Sequence, residues 1–358
     1  MNEVDIIYLR QVALIKNLIL IIGLVVAIAQ FGNKKPIKML PIAVILILLI
    51  SYFFASFPID FNNWWNDHMI YAAGFYYADT VPNDDMSDPL FRWLTYGIRI
   101  ITDNCSIYFF VIAIMYCSFY LITSKRFCNR YGGALIMFIL FITSNFFVSY
   151  GVNTLRAGLA MSVLILAFSY FQEQKIIFAL FALCAINIHF SVALTLCSFI
   201  VSIYIKKPKM CFTIWLISII LSFSMGSYFE GLFAGLVEDR RTSYLLVEAD
   251  KTHYNVGFRW DFVIYSLIPI LTGYYYIYKR KYNDSFYNIL YCTYLLANTF
   301  WILVIRANFT DRFAYLSWAL MPIILIYPLI NGQLFKHQNY AISLVILLNV
   351  AFTFILSL

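Results

Sequence analysis

The chain has 358 residues, 63% of them hydrophobic and only 12% charged, with 25 Lys and Arg against 18 Asp and Glu. That balance excludes an ordinary soluble domain and matches a protein built from transmembrane helices. No nucleic-acid partner is expected, and much of the 19% aromatic share suits headgroup level, where amphipathic rings are comfortable.

A helix needs roughly 20 apolar residues to cross a bilayer core. The first apolar run, 12–31, is too long for the core of a secretory signal and has no small-residue cleavage site, so it reads as an ordinary span. A second span is expected over 37–57. After a long segment at 58–104 come 105–124, 132–149, 155–171, 176–188, 190–205 and 211–228. A second long segment at 229–260 precedes 261–278, 286–305, 313–330 and 338–357. The runs 176–188 and 190–205 are nearly continuous. Splitting them at Asn187 and His189 puts four basic turns on one side: Lys34–Lys35–Lys38, Lys125–Arg126–Arg130, Lys206–Lys207–Lys209 and Lys279–Arg280–Lys281. Lys and Arg collect in cytoplasmic loops, so this side is read as cytoplasmic and both termini as outside. The expected fold is all-α: one polytopic transmembrane helical bundle of about 12 spans over residues 1–358, with outer loops at 58–104 and 229–260. The seven Cys are scattered without metal-ligand spacing and read as small hydrophobes.

On this topology the inner loops hold 11 Lys and 3 Arg, whereas the outer segments hold 9 Arg and 1 Lys. Lys inside is the topology signal. Arg outside is a separate one, because its planar fork binds phosphate bidentately and Lys cannot. An anionic ligand is therefore expected at the outer face.

Four clusters at outer ends of spans carry candidate chemistry. Asn153-Thr-Leu-Arg156 opens the fifth span, where a cation beside hydrocarbon faces a partner or snorkels to headgroups. His189-Phe-Ser191 offers a general base or a phosphate ligand; the structural alternative is a His satisfied within the bundle. Asp67-His-Met-Ile-Tyr71 and Asp88-Pro-Leu-Phe91 supply carboxylates that could deprotonate a sugar hydroxyl, though Asp88 is also placed to cap the helix that follows. Arg306 and Asp311-Arg312-Phe313 surround the start of the eleventh span, where an Asp311–Arg312 pair is the simpler reading. The long outer segments add Trp64, Trp65, Asp79, Asp84, Asp85, Arg240, Arg241, His253 and Arg259. There is no Walker A loop, no HExxH and no GxSxG elbow, which argues against ATP hydrolysis, a zinc protease and a serine hydrolase.

At these residues the chain resembles the EpsG-type, Wzy-like bacterial polysaccharide polymerases. The run Asn153-Thr-Leu-Arg156-Ala-Gly-Leu-Ala160, the basic turn near Lys175 and His189-Phe-Ser191 are similar to the family's Asn-x-x-Arg-Gln-x-x-Ala, charged turn and His-x-Ser. Asp67…Tyr71, Asp88-Pro-Leu-Phe91 and, loosely, Arg312-Phe313-Ala-Tyr315 are similar to its remaining elements, in order, from about residue 60 to 330. Ala157 stands where the family usually has Gln.

The resemblance implies a glycosyltransferase related to multi-span lipid-dependent (GT-C-like) enzymes and O-antigen ligases. It would join undecaprenyl-diphosphate-linked oligosaccharide repeat units at the outer, periplasmic face of the bacterial cytoplasmic membrane, in O-antigen or exopolysaccharide biosynthesis. A chain-length regulator and a flippase are the implied partners; no cofactor is implied, and no metal is required where Arg supplies the positive charge. The diphosphate ligands expected are Arg156 and Arg312, with Arg306 or Arg259. His189, Asp67 and Asp88 are the catalytic candidates, and Tyr71 and Asn153 the sugar contacts. The competing readings are a lipid-linked oligosaccharide flippase or transporter and an O-antigen-ligase-like transferase. A transporter would place polar residues near mid-membrane rather than at one face.

Overall fold

A computed structural model describes residues 3–35, 40–59, 67–78, 88–128, 133–236, 257–307 and 309–357. Among these residues the regular structure is helical throughout. In chain order the helices are α1 (Glu3–Gly32), α2 (Leu40–Ala55), α3 (Asp67–Tyr76), α4 (Pro89–Ile101), α5 (Cys105–Phe127), α6 (Ala134–Ile142), α7 (Phe146–Val152), α8 (Leu155–Tyr170) and α9 (Lys175–Ile188). After a 3₁₀ turn at Phe190–Val192 come α10 (Ala193–Ile205), α11 (Pro208–Leu236) and α12 (Trp260–Tyr274), which runs into a π turn at Tyr275–Lys279. The last four are α13 (Ser285–Leu303), α14 (Thr310–Trp318), α15 (Met321–Asn331) and α16 (Gln338–Ser357). Local polar chemistry sets several starts: the Asn104 side chain accepts the Ser106 N–H ahead of α5, and Asp284 accepts those of Phe286 and Tyr287 ahead of α13.

Five helical stretches among the described residues are long and apolar enough to cross a membrane: Ile6–Gly32, Cys105–Phe127, Pro208–Gly226, Thr310–Asn331 and Gln338–Leu356. The pair α6 and α7, bent by 72°, would make a sixth. The protein is thus an all-α, multi-pass membrane protein. Spans expected at 37–57, 155–171, 176–188 and 190–205 are apolar helices of 10–17 residues. The span expected at 132–149 is broken for a local reason. Thr143 and Ser144 return their hydroxyls to the carbonyls of Ile139 and Leu140, each at 2.7 Å, where such back-bonding bends a helix.

The segment 58–104, expected to be a loop, contains α3 and α4. In α4 the buried residues Phe91, Thr95 and Ile98 recur at helical spacing, while Trp93, Ile100 and Ile101 are exposed on other faces.

The chain divides into two compact units, Met1–Ala193 with Leu329–Leu358, and Leu194–Pro328. In the first, α8 is buried along most of its length and packs against α5, α7 and α9, and α1 lies along α16. In the second, α11 packs along α13, and Asn298 anchors a buried polar network. Its Oδ1 accepts from Trp215 Nε1 at 2.7 Å, and its amide nitrogen donates to Ser266 Oγ at 3.1 Å and Ser317 Oγ at 2.9 Å. Polar groups in an apolar interior persist when satisfied in this way.

Candidate active site

Asp88 is the hub of the first unit's candidate site. It stands immediately before Pro89, at the position that would cap α4, yet its side chain makes no capping bond. Its backbone is left-handed (φ 54°, ψ 52°), away from the extended geometry that caps use, and Asp tolerates that region better than most residues. The carboxylate is spent elsewhere. Oδ2 accepts from Arg156 Nη1 at 2.8 Å and lies 2.7 Å from His189 Nδ1, and Oδ1 accepts the Phe190 N–H at 3.3 Å. The Asp88 side chain is 2% exposed, against 39% for Arg156 and 13% for His189. A buried carboxylate is tolerable only when paired and hydrogen-bonded, and here one oxygen serves two partners. Of the two readings open for Asp88, capping and membership of a site, the geometry excludes capping.

Each partner is delivered by a break in a helix. Arg156 lies in the first turn of α8, just after the α7–α8 break at Asn153–Thr154. His189 ends α9: its N–H still bonds Ala185 O, but its backbone turns extended (φ −161°, ψ 119°) and the chain restarts as the 3₁₀ turn. The split expected at Asn187 and His189 therefore falls at a real helix terminus.

Helix α3 supplies a third wall. Asp67 and Tyr71 are four residues apart and share a face. The Tyr71 hydroxyl and the Arg156 guanidinium interact electrostatically, and the guanidinium carbon stands 5.8 Å from the ring centroid. Burial pushes the Tyr71 hydroxyl above its ordinary pKa, with Arg156 opposing, so it is a neutral donor at physiological pH. Asp67 interacts electrostatically with both Tyr71 and Arg156. Asn153 is fixed from a distance in sequence, its Oδ1 accepting from the Tyr8 hydroxyl. Two donors in this cluster, Arg156 Nε and Ser191 Oγ, are buried and lack a hydrogen-bond partner among the described residues. Such groups cost free energy unless something satisfies them.

A model of the EpsG family matches residues 44–358. The chain belongs to the EpsG family. In general terms it is therefore a polysaccharide polymerase, and this agrees with its multi-pass helical build. No curated protein and no solved structure matches it. All nine candidate residues of this EpsG-family chain lie inside the matched range, and the first unit brings six of them together: Asp67, Tyr71, Asp88, Asn153, Arg156 and His189.

The other three belong to the second unit and have local partners. Arg306 donates to the carbonyls of Ser222 at 2.6 Å and Phe223 at 3.5 Å, where α11 is broken at Met225. Arg259 is held by Asp261 through two bonds of 2.9 and 2.5 Å and lies over the Phe262 ring. Arg312, in the first turn of α14, lies 4.6 Å from the Phe309 ring centroid. Trp64, Trp65, Asp79, Asp84, Asp85, Arg240, Arg241 and His253 fall outside the described residues.

Two contributors escaped the sequence reading. Tyr8 reaches Asn153 across 145 positions, a pairing no local pattern announces. His68 stands beside Asp67 but turns inward. It is 1% exposed, stacks on Phe109 at 3.9 Å and lies near Phe57 and Tyr8. Burial pushes its pKa down to about 4, so the ring is neutral at physiological pH.

Proposed function

We propose that this EpsG-family protein joins undecaprenyl-diphosphate-linked oligosaccharide units at the outer face of the cytoplasmic membrane. The growing glycan passes from its lipid diphosphate to a hydroxyl of the incoming unit. The observation that carries this reading is the Asp88–Arg156–His189 cluster, which sets a fixed cation beside an oriented imidazole in a polysaccharide polymerase.

The acceptor oxygen forms a bond to the anomeric carbon as the bond from that carbon to the diphosphate oxygen breaks. The electron pair of the broken bond leaves with undecaprenyl diphosphate, and the hydroxyl proton goes to the base. Arg156 meets the developing charge, supported by the buried Nε and by Ser191 Oγ. Removing one preorganised donor of this kind typically costs about 10²–10³-fold in rate. His189 takes the proton, a role that contributes about 10²–10⁴-fold. Asp67, Tyr71 and Asn153 line the same cluster from α3 and the α7–α8 break and would hold the sugars. Within the second unit Arg306 donates to backbone carbonyls and Arg259 pairs with Asp261, so neither is assigned to the diphosphate in this scheme.

The experiment compares surface polysaccharide from cells lacking the protein, from the parent, and from cells rescued with Arg156→Ala. Single repeat units reaching the surface without long chains, in both the deletion and the Arg156→Ala rescue, support the proposal. Lipid-linked units trapped inside would show a flippase and overturn it.

A further inference from the structure

We infer that Asp88 is a positioning residue, neither base nor sugar ligand, whose single buried Oδ2 sets the imidazole of His189 and the guanidinium of Arg156 in register. This rests on the proposed reaction and deepens it by assigning how its two working groups are held.

Three observations lead there. A carboxylate with 2% exposure, engaged on one oxygen by two side chains and on the other by the Phe190 N–H, presents almost no surface to an acceptor sugar. An ionised carboxylate only accepts, so the His189 nitrogen 2.7 Å away must carry the proton of that bond. The neutral ring is thereby fixed as the Nδ1–H tautomer, and Nε2 bears the lone pair that can take a proton. Finally, Asp88 holds these partners from a left-handed residue that has given up helix capping. A sparsely populated backbone that persists at a cluster of charged groups is the pattern expected where local cost serves function.

The charges around His189 are consistent with one anchor. Its own helix α9 brings no charged residue near this end, since Lys175 is at the other. From α4 come Asp88 and, one turn later, Arg92; from α8 comes Arg156, with Asp67 and Tyr71 of α3 behind it. Asp88 bonds both working groups directly.

The assignment separates Asp88 from a general base in its consequences. If Asp88 itself took the proton, removing His189 would leave a partial catalyst and the imidazole tautomer would be irrelevant. If Asp88 positions, then Asp88 and His189 act as a unit and their losses are not additive.

The test uses the full-length protein in nanodiscs with ¹⁵N-labelled histidine, the His189 signal being assigned by its disappearance in His189→Gln. The expected result is an Nδ1–H tautomer in the parent and a shift towards Nε2–H in Asp88→Asn, which is nearly isosteric. In a polymerisation assay at matched expression, Asp88→Asn should lower turnover about 10²–10⁴-fold, the span of a base that has lost its orientation, with KM changed far less. The double variant Asp88→Asn/His189→Gln should be no slower than the slower single variant, and Asp88→Asn/Arg156→Gln should also fall short of the product of its singles. An Nε2–H tautomer in the parent overturns the inference without any variant, so it stays falsifiable even if Asp88→Asn fails to fold. Multiplicative losses in both cycles would overturn it as well. The tautomer needs no substrate, so its result stands whether or not the chain is a lipid-diphosphate polymerase. Conversely, loss of activity in His189→Gln alongside an Nε2–H parent would retain the function and refute the role of Asp88.

Discussion

Gly158 lies in the turn of α8 that carries Arg156, and its place against α7 leaves no room for a side chain. A Cβ built there would stand 2.8 Å from Tyr150 Cβ and 2.9 Å from the Tyr150 carbonyl carbon, and nearer still to the carbonyl oxygen. Carbon atoms pack at about 3.5–4.0 Å, so Gly158→Ala must push α8 away from α7 by roughly 0.7 Å or more. The obstacle is largely backbone and cannot swing aside. Overpacking of this kind costs about 1–3 kcal/mol. Arg156 lies two residues earlier in the same helix and makes a 2.8 Å bond to Asp88, which a shift of that size would stretch past hydrogen-bonding range. Misplacement by about 1 Å can cost on the order of 10²-fold in rate, so polymerisation by Gly158→Ala should fall about that much while the folded protein is still recovered. The assay is chain extension in isolated membranes normalised to folded protein. The controls are Gly74→Ala in α3 and Gly97→Ala in α4, where a Cβ meets nothing within 4 Å. Parent-like extension by Gly158→Ala would refute the claim that the α7–α8 contact sets the position of Arg156.

Three further outcomes follow from named contacts. Arg156→Lys keeps the charge but cannot hold Asp88 while presenting a bidentate fork to a phosphate, so extension at matched expression should drop about 10²–10³-fold; near-normal extension would remove the guanidinium requirement. His68 has a folded pKa of about 4, below the ordinary 6.5, so as pH falls between these values the unfolded chain binds the proton and the folded one does not. Stability should therefore decline on acidification by about 2–3 kcal/mol between about pH 7.5 and pH 4.5, and thermal unfolding of His68→Phe should lack that part of the slope. In the second unit, a Cβ on Gly226 would stand 3.0 Å from the Arg306 guanidinium carbon and collide with its Nη1. Gly226→Ala should expel that side chain from the Ser222 and Phe223 carbonyls, lower folded yield by the equivalent of about 1–3 kcal/mol, and add little to Arg306→Gln.

The parts of this molecule legible in the sequence are those set by local chemistry. Apolar runs forecast helices, and the helix break at His189 was placed by the sidedness of the basic turns. Asp67 and Tyr71 fall on one face because four residues make about one turn. The bend between α6 and α7 was missed because Thr143 and Ser144 read as tolerable in a span, whereas their bonds to Ile139 and Leu140 bend it. Helix α4 was legible only as an apolar stretch that Asp88 could cap; its extent inside the 58–104 segment was not read, since its start is a Pro after a left-handed Asp.

What the sequence could not supply is the meeting of elements. Asp88 is 68 residues from Arg156 and 101 from His189, so no spacing rule relates them. The capping reading of Asp88 stood level with the site reading, with a short acid before Pro and an apolar helix. It failed because capping an exposed helix end is worth about 1 kcal/mol, whereas leaving a partly buried Arg and a buried carboxylate unpaired costs several times that. The same comparison explains why Arg residues grouped as diphosphate candidates in the sequence diverge in the structure. Arg306 and Arg259 find carbonyls and a carboxylate within their own unit, while Arg156 meets a carboxylate that is already committed to an imidazole. Under the proposed reaction, a cation that shares its carboxylate with the imidazole is placed for chemistry in a way that a cation bound to helix carbonyls is not.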